Sequence, residues 1–362
     1  MLKRYLLLPM LLLAALASAA AAQDALYAGL ADHPLDPKWS SATGAAPIVH
    51  LPIPAKAQFG FVLTPTNAGV APVGSYARGC LAGATPLPIT GPAWQVMRTS
   101  RNRNWGHPNL IGYLERFAND MRAHEHWRGL MIGDLSQPRG GPMLTGHASH
   151  QTGLDVDIWY RQMPAKVLTP AERETVAPVF LAENDGTSVI ENRWHEGWVR
   201  LLRRAASYPE VARIFVHPAI KKALCEAAQY DRRWMTKVRA YYLHNDHFHV
   251  RLHCPLGSKT CTPQADPSPE DGCGKELAYW MKVVSRPAPA PVQNTPQLPP
   301  VVLAPKAVPL PPRYVTLADL PPECTNVLSE GKPALLARVA PNAAEVPLPL
   351  PSPARAALAL HH

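Results

Sequence analysis

Histidine and aspartate side chains that can bind a metal ion are concentrated in two short segments of the sequence. Residues 147–157 read HASHQTGLDVD, and residues 244–251 read HNDHFHVR. Six of the fifteen histidines lie in these segments or just after the second: His147, His150, His244, His247, His249 and His253. Histidine is the commonest metal ligand, and histidine and aspartate around an open position are typical of hydrolytic zinc sites. The pattern therefore indicates a metal site divided between two segments.

The second segment has the residue alternation of a strand with one polar face. Every second residue of 247–253 is polar, beginning with His247 and His249, and the residues between them are apolar. Successive side chains of a strand point to opposite faces of the sheet. Asp157 follows the same alternation at the end of the first segment. We therefore expect two neighbouring strands to present Asp157 and His249 to one ion, with His150 reaching it from the loop.

The other polar residues of these segments are expected to support the metal rather than to form a separate site. His247 would lie about 6.5–7 Å from His249 along the strand, which suits action on a water at the metal better than shared ligation. It is the predicted base or transition-state donor, replacing the glutamate of an HExxH protease, a motif that the sequence lacks. His244 is a second, supporting catalytic candidate. His147 is an additional ligand or orients one, and Asp155 either orients a ligand or simply begins the strand.

The first segment also resembles a family signature. Residues 146–157, GHASHQTGLDVD, look like the signature of the penicillin-insensitive murein endopeptidases, within the wider group of lysostaphin, D-Ala-D-Ala and hedgehog-type metallopeptidases. That group carries His-x6-Asp and a later His-x-His, which match residues 150–157 and 247–249. The resemblance covers residues 76–285. It continues through six short segments, at 95–99, 106–108, 132–134, 214–216, 218–221 and 271–274.

The resemblance implies a zinc peptidase of the bacterial cell wall. The family activity is hydrolysis of the D-alanyl–meso-diaminopimelyl bond between crosslinked stem peptides of peptidoglycan. The implied Zn²⁺ ligands are His150, Asp157 and His249, with His147 as a further candidate. Zinc hydrolysis needs no acyl-enzyme serine, so a β-lactam has no nucleophile to trap. Family members can hold a second metal at an Asp-x-x-His that aligns with residues 185–188, but Ser188 replaces that histidine here. One zinc per chain is therefore expected, and Asp185 remains only a candidate for a second position.

Two other functions are compatible with the same residues. The first is a zinc D,D-carboxypeptidase that trims a terminal D-Ala, which a carboxylate-binding arginine close to the metal would favour. The second is a noncatalytic wall-binding module that keeps zinc for structure. A structural zinc site is usually closed by four protein ligands, and His247 beside three ligands argues against this alternative.

Apolar periodicity predicts an α+β fold. Helical spacing predicts helices at 110–122, 198–206 and 218–230, and short apolar runs predict strands at 130–134 and 214–216. Helices mixed with short strands favour a mainly antiparallel sheet flanked by helices, with the two histidine strands inside it. The resemblance implies the same, a hedgehog/D,D-peptidase-like fold with Pro-rich extended ends.

Composition divides the chain into one folded domain and poorly structured ends. Proline accounts for 41 of 362 residues, about twice its usual share. The Pro-rich residues 286–322 are either a wall-spanning or partner-binding linker or a plain surface strap. The predicted parts are a signal peptide at 1–22, an Ala/Pro-rich arm at 23–75, the zinc peptidase domain at 76–285, a Pro-rich linker at 286–323, and a tail at 324–362 that is pinned by a disulfide and then disordered.

The signal peptide, the cysteines and the charge all predict an exported protein. Residues 1–22 combine a basic start, a short apolar core and small residues, so the mature chain is expected in the periplasm with no membrane span. Six cysteines favour disulfides there, and spacing alone leaves fifteen pairings open. The family resemblance suggests Cys80–Cys324, Cys225–Cys273 and Cys254–Cys261. The net charge of +9 fits an anionic wall, and no nucleic-acid-binding motif is present.

Overall fold

The computed structural model of the chain describes residues 53–228, 230–285 and 314–330. The strands within them are β1 (Ala71–Ser75), β2 (Arg78–Ala82), β3 (Thr85–Pro86), β4 (Thr90–Gly91), β5 (Trp94–Val96), β6 (Trp105–Gly106), β7 (Leu130–Ile132), β8 (Asp155–Gln162), β9 (Val211–Val216), β10 (Val238–Ala240) and β11 (His247–Leu252). The α-helices are α1 (Ala55–Gly60), α2 (Pro108–His124), α3 (Pro170–Thr175), α4 (Glu196–Ser207), α5 (Pro218–Ala227), α6 (Lys275–Val284) and α7 (Glu323–Ser329). Short 3₁₀ helices lie at Thr99–Arg101, Glu191–Arg193, Arg233–Thr236 and Leu317–Asp319. The α+β prediction is confirmed.

A seven-stranded sheet carries both histidine segments. Its strand order is β10-β9-β11-β8-β7-β5-β4. β11 runs antiparallel to both β8 and β9, and β8 runs antiparallel to β7. The β10–β9 and β7–β5 pairs are parallel, and β4–β5 is antiparallel. The sheet is therefore mainly antiparallel, as predicted, and its two neighbouring strands β8 and β11 bring the two halves of the motif together.

The apolar face of this sheet builds the main core. Val156 and Ile158 of β8 and Phe248 and Val250 of β11 are almost completely buried in one hydrophobic cluster with residues of α2, α4 and α5. Because alternate residues of each strand enter this core, the polar residues between them are left on the opposite face. The core thus fixes the face on which the metal-binding side chains lie.

Helix α2 forms where the sequence predicts a helix, but its first residue differs from the predicted one. Leu110, Leu114, Phe117 and Met121 recur at helical spacing and are all buried. The helix starts two residues before the predicted 110–122, because His107 caps it by accepting a hydrogen bond from the backbone of Asn109 and a proline occupies the first turn. Helix α5 ends at Ala227 and β7 at Ile132, each earlier than predicted.

The folded region begins before residue 76. Residues 55–60 and 71–75, expected to belong to an extended arm, form α1 and β1. Phe59 and Val73 are buried in a second hydrophobic cluster with Cys80 and with Cys324 and Leu328 of α7. This cluster gives the N-terminal elements an apolar surface to cover, which the composition of the segment alone did not indicate. The predicted signal peptide and most of the predicted linker and tail lie outside the described residues.

Three disulfides are present among the described residues, with sequence separations of 244, 48 and 7 residues. They are Cys80–Cys324, Cys225–Cys273 and Cys254–Cys261, the pairs that the family resemblance implied. The first joins β2 to α7 and so holds the described part of the C-terminal region against the domain. No helix among the described residues has the length and apolar character needed to cross a membrane.

Candidate metal centre

The register of β8 and β11 places the metal-binding side chains on one face. Asp157 is the cross-strand partner of His249, and Asp155 is the partner of Arg251. The loop before β8 turns sharply, with positive φ at His150 (67°) and Gly153 (69°). A side chain at Gly153 would meet Leu81 at 2.3 Å, so this turn requires glycine. The turn directs the fully buried His150 towards Asp157, as the sequence predicted.

Three side chains converge closely enough to hold one ion. Ligand atoms of His147, His150 and Asp157 all lie within 4.8 Å of one another. Nδ1 of His147 is 3.2 Å from Oδ2 of Asp157, and Nε2 of His150 is 3.4 Å from Oδ1. His249 approaches the same carboxylate, with Nδ1 3.4 Å from Oδ1 of Asp157. The other three predicted metal residues therefore lie around Asp157.

The hydrogen bonding of this group fits a bound cation. Both ring nitrogens of His150 and Oδ1 of Asp157 are buried and have no hydrogen-bond partner among the described residues. Buried polar atoms are normally hydrogen-bonded, because leaving them bare costs about 1–3 kcal/mol each. A metal ion among these nitrogen and oxygen atoms would satisfy them. The donor set of imidazoles and a carboxylate is one that zinc and related ions accept.

Two further carboxylates orient the imidazoles. Oδ1 of Asp155 accepts a hydrogen bond from Nε2 of His249 at 2.8 Å, and Oδ2 of Asp134 lies 3.0 Å from Nε2 of His147. In both rings the other nitrogen, Nδ1, then faces Asp157. Metal-binding histidines commonly have this arrangement, because the carboxylate fixes the ring and raises the basicity of the ligand nitrogen. Asp155 therefore begins β8 and also holds a histidine.

The carboxylates of the site are held in their ionised form. Burial by itself raises the pKa of Asp134, but His147 and the guanidinium groups of Arg103 and Arg101 outweigh it and lower the pKa to about 2. Burial of Asp155 is likewise outweighed by Arg251 and His249, which hold the pKa of that carboxyl well below its usual range. Ionised carboxylates accept hydrogen bonds and bind cations, as an orienting or ligating role requires.

His247 differs from the other histidines in its partners. Its Nδ1 lies 2.6 Å from Oδ1 of Asp246, and its Nε2 lies 3.6 Å from Oδ1 of Asp157. Burial lowers the pKa of His247, but Asp157 and Asp246 raise it by a larger amount. The pKa of His247 therefore lies above that of an ordinary histidine. The ring therefore retains a proton more readily than an ordinary histidine. Asp246 was not singled out from the sequence, although its position next to His247 was the available signal.

His244 also reaches the site, from the loop before β11. It has a positive φ of 57°, and its Nδ1 donates a hydrogen bond to the carbonyl of Tyr242 at 2.9 Å. Its ring centre is 5.0 Å from that of His247. Burial, followed by the nearby His249 and His247, lowers the pKa of His244 to about 3. Its ring is therefore neutral, and its Nε2 is left with a free lone pair.

Two of the residues considered from the sequence do not join the centre. Asp185 is exposed, and its two oxygens accept hydrogen bonds from the backbone and hydroxyl of Thr187. It is not in the group of potential ligands that the described residues contain. His253 lies 3.8 Å from the exposed Asp266. Both residues belong to the surface.

A pocket of about 210 Å³ opens onto the cluster. His147, Asp157 and His247 line it, together with Arg98 and Arg101. Neither arginine was predicted from the sequence to have a functional role. Their position depends on a turn between β5 and α2 that packs against the site, and no local pattern marks that contact.

Comparison with known proteins is consistent with this geometry. The family model for penicillin-insensitive murein endopeptidases matches residues 72–329. The chain is 40% identical over 259 residues to a penicillin-insensitive murein endopeptidase of Klebsiella pneumoniae, covering 71% of this chain and 89% of that protein. It is 39% identical over 273 residues to a protein of that name from Yersinia pestis, covering 75% and 94%. It is 44% identical over 211 residues to one from Haemophilus influenzae, covering 58% and 73%.

Proposed function

Because the chain belongs to the penicillin-insensitive murein endopeptidase family, we propose that it is a zinc-dependent peptidoglycan hydrolase. Its substrate is the D-alanyl–meso-diaminopimelyl crosslink between stem peptides. The observation that carries the proposal is the set of buried atoms on His150 and Asp157 that find no hydrogen-bond partner within the described residues. In a purely structural histidine cluster these atoms would stay without partners, and the resulting loss of stability would not be compensated.

The ion is assigned to His150, Asp157 and His249, with His147 beside them as the fourth candidate ligand. The 3.4 Å distances from Oδ1 of Asp157 to Nε2 of His150 and to Nδ1 of His249 support this set. Zinc, when bound, supplies a Lewis acid that polarises a peptide carbonyl and lowers the pKa of water. One ion per chain is proposed, because Asp185 is satisfied by its own turn.

The remaining histidines supply the proton chemistry. His247, whose pKa is raised overall by Asp157 and Asp246 against the effect of burial, donates a proton to the developing charge on the substrate. His244 is neutral, and its Nε2 is available to accept a hydrogen bond from the attacking water. Neither role needs an acyl-enzyme, so the proposed activity gives a β-lactam nothing to acylate.

The surroundings proposed for the protein are the periplasm and its wall. Three disulfides are typical of exported proteins. The net charge of +9 gives a nonspecific attraction to an anionic polymer. The signal peptide at residues 1–22 is part of the same proposal.

The test is digestion of purified crosslinked muropeptide dimers. We expect conversion of dimers to monomers, loss of this activity on chelation, its return on addition of Zn²⁺, and no inhibition by penicillin. His150→Ala serves as the inactive control, and Asp185→Asn as a matched variant that should retain activity. Release of free D-Ala with the dimers left intact would establish the carboxypeptidase alternative. No hydrolysis of any muropeptide by the zinc-loaded protein would contradict the proposal as a whole.

A further inference from the structure

One carboxylate oxygen beside the metal centre is shared by two arginines and a histidine. Oδ2 of Asp134 lies 2.8 Å from Nη1 of Arg103, 3.0 Å from Nη1 of Arg101 and 3.0 Å from Nε2 of His147. Arginine remains charged at any pH that proteins experience. A single negative charge therefore faces two fixed positive charges, and one positive charge in this cluster is not neutralised by Asp134.

Of the two arginines, Arg101 is the one that faces the pocket. Arg103 is buried, with 7% of its side chain exposed, and its Nη2 also donates to the carbonyl and hydroxyl of Thr145. Arg101 has 45% of its side chain exposed and lines the pocket that contains His147 and Asp157. Its one side-chain hydrogen bond among the described residues uses Nη1. Nε and Nη2 are therefore available to a ligand in the pocket.

The backbone holds Arg101 in a defined place. It ends the 3₁₀ helix Thr99–Arg101, whose two flanking residues, Arg98 and Asn102, both have left-handed backbone conformations. Glu174 binds the turn through the hydroxyl of Thr99 and through the backbone and hydroxyl of Ser100. A ligand therefore meets a turn whose backbone is already ordered, which reduces the entropy lost on binding.

Arg98 has a different function in the same turn. Its two terminal nitrogens donate to the backbone carbonyls of Arg173 and Val176, each at 2.9 Å. Its guanidinium lies 5.2 Å from the ring centre of Trp159. It supports the wall of the pocket, and Arg101 is the arginine with unused donors.

We propose that Arg101 binds the carboxylate on the leaving side of the scissile bond and so selects the substrate. The proposal rests on the function proposed above; a D,D-carboxypeptidase would offer Arg101 the carboxylate of the terminal D-Ala instead, and release of free D-Ala in the dimer digestion would identify that case. meso-Diaminopimelate is a diamino diacid in which each carbon that carries an amine also carries a carboxyl group. When D-alanine acylates one amine, the carbon that bears the scissile nitrogen also bears a free carboxylate. The planar fork of arginine matches a carboxylate with two parallel hydrogen bonds.

The position of Arg101 suits this carboxylate. Asp134 holds Arg101 and His147 on the same oxygen, and Nδ1 of His147 is 3.2 Å from Asp157. The guanidinium therefore lies next to an imidazole of the candidate metal centre. In the substrate this carboxylate is attached to the carbon that bears the scissile nitrogen, so it lies next to the reacting bond. An amide in place of that carboxylate loses the charge that Arg101 would neutralise.

The test compares two crosslinked muropeptide dimers, one with this carboxylate free and one with it amidated. We expect the wild-type protein to prefer the free acid by about 10- to 100-fold in kcat/KM, the range for a hydrogen bond between charged groups. Arg101→Gln should lose most of that preference through slower cleavage of the free acid. Arg101→Lys should keep part of it, because lysine retains the charge but not the fork. Arg233→Gln is the matched control, since that side chain is 93% exposed and pairs only with Asp231 among the described residues.

The outcomes separate this inference from the proposed function. Failure of the wild-type protein to cleave either dimer would count against the function itself. Cleavage of both dimers at equal rates by the wild-type protein would overturn the role of Arg101. So would an equal fall on both substrates in Arg101→Gln, or loss of zinc from that variant, because Arg101 would then act only as a support for Asp134.

Discussion

His249 and Asp157 face each other as a register pair across β11 and β8, with Nδ1 of His249 3.4 Å from Oδ1 of Asp157. The other nitrogen of His249 is occupied by Asp155, two residues before Asp157 on the same strand. One strand therefore supplies both a candidate ligand and the carboxylate that orients the facing ligand. This works because residues two apart on a strand lie on one face.

The two histidines of β11 should respond differently to removal. His249→Ala should lose zinc and activity together, because its Nδ1 faces the metal group. His247→Ala should keep about one equivalent of zinc while turnover falls by about 10²–10⁴-fold, as expected for a lost acid–base group. Metal analysis beside muropeptide-dimer hydrolysis checks both variants. Loss of zinc from His247→Ala, or full activity in it, would show that the roles are assigned wrongly.

Asp155 should tune metal affinity without being a ligand. Asp155→Asn keeps the size of the side chain but weakens the hydrogen bond that holds Nε2 of His249. We expect zinc affinity to fall by about 10- to 100-fold, the usual effect of losing such a partner. Competition with a chelator of known affinity measures the change. Arg251, which also bonds Asp155 at 2.7 Å, loses its ion pair in the same variant. Arg251→Gln therefore serves as a control. An equal loss of zinc affinity in that variant would show that the effect of Asp155→Asn comes from the lost ion pair with Arg251.

The chain should hold one tightly bound zinc. Ser188 stands where the family resemblance predicts a histidine, and Asp185 is bonded to Thr187. Elemental analysis after extensive dialysis is expected to give about one equivalent per chain in both the wild-type protein and Asp185→Asn. Two equivalents in the wild-type protein, with one lost in the variant, would place a second ion at Asp185.

Lys221 should make the folded state more stable as the pH rises above neutrality. Burial, together with nearby Arg239, lowers the pKa of its amine from 10.5 to about 7 in the folded protein. Between pH 7 and 10.5 the unfolded chain binds more protons at this site, so the free energy of unfolding increases with pH there. The destabilisation of the folded state by the buried ammonium is fully present below pH 7 and is on the order of 5 kcal/mol.

Replacement of Lys221 by methionine tests this linkage. Lys221→Met should flatten the rise in the free energy of unfolding between pH 7 and 10.5, measured by denaturant titration at several pH values. Lys222→Met is the matched control. The Lys222 side chain is exposed, so its replacement should leave the pH profile unchanged. Lys221→Met should be more stable than the wild-type protein at low pH, because the buried ammonium is gone. The carbonyls of Met235 and Asp271 also lose their hydrogen-bond donor, which offsets part of this gain in stability. An unchanged slope would show that Lys221 keeps an ordinary pKa.

The long-range disulfide should contribute more to stability than the short one. Cys80–Cys324 spans 244 residues and Cys254–Cys261 spans 7. In the chain-entropy model the first contributes about 5 kcal/mol and the second about half of that. Paired cysteine-to-alanine replacements, compared by chemical unfolding, check the order. A larger loss on removing Cys254–Cys261 would reverse the prediction.

Local patterns of the sequence predicted part of the secondary structure, including the two strands that carry the histidine segments, and the types of the residues that these strands bring together. Alternation in 247–253 predicted β11 and its polar face, and helical spacing predicted α2, α4 and α5. These signals are local, because the period of a strand or helix follows from backbone geometry and the apolar residues of one face must enter the core. The apolar residues at 55–75 have no such period, so the sequence predicts an extended segment there. Their packing partners lie far along the chain, in α7.

The sequence by itself determined the chemical types of the site: three imidazoles and a carboxylate at strand and loop spacing, with an even set of cysteines. Only the tertiary structure decided which carboxylate holds which ring, pairing Asp134 with His147, Asp155 with His249 and Asp246 with His247. It also placed Arg101 beside His147, because both side chains contact the same oxygen of Asp134. Most of these contacts join residues far apart along the chain, and their distances depend on how β7, β8 and β11 pack. That packing results from the whole core, so no local pattern encodes it.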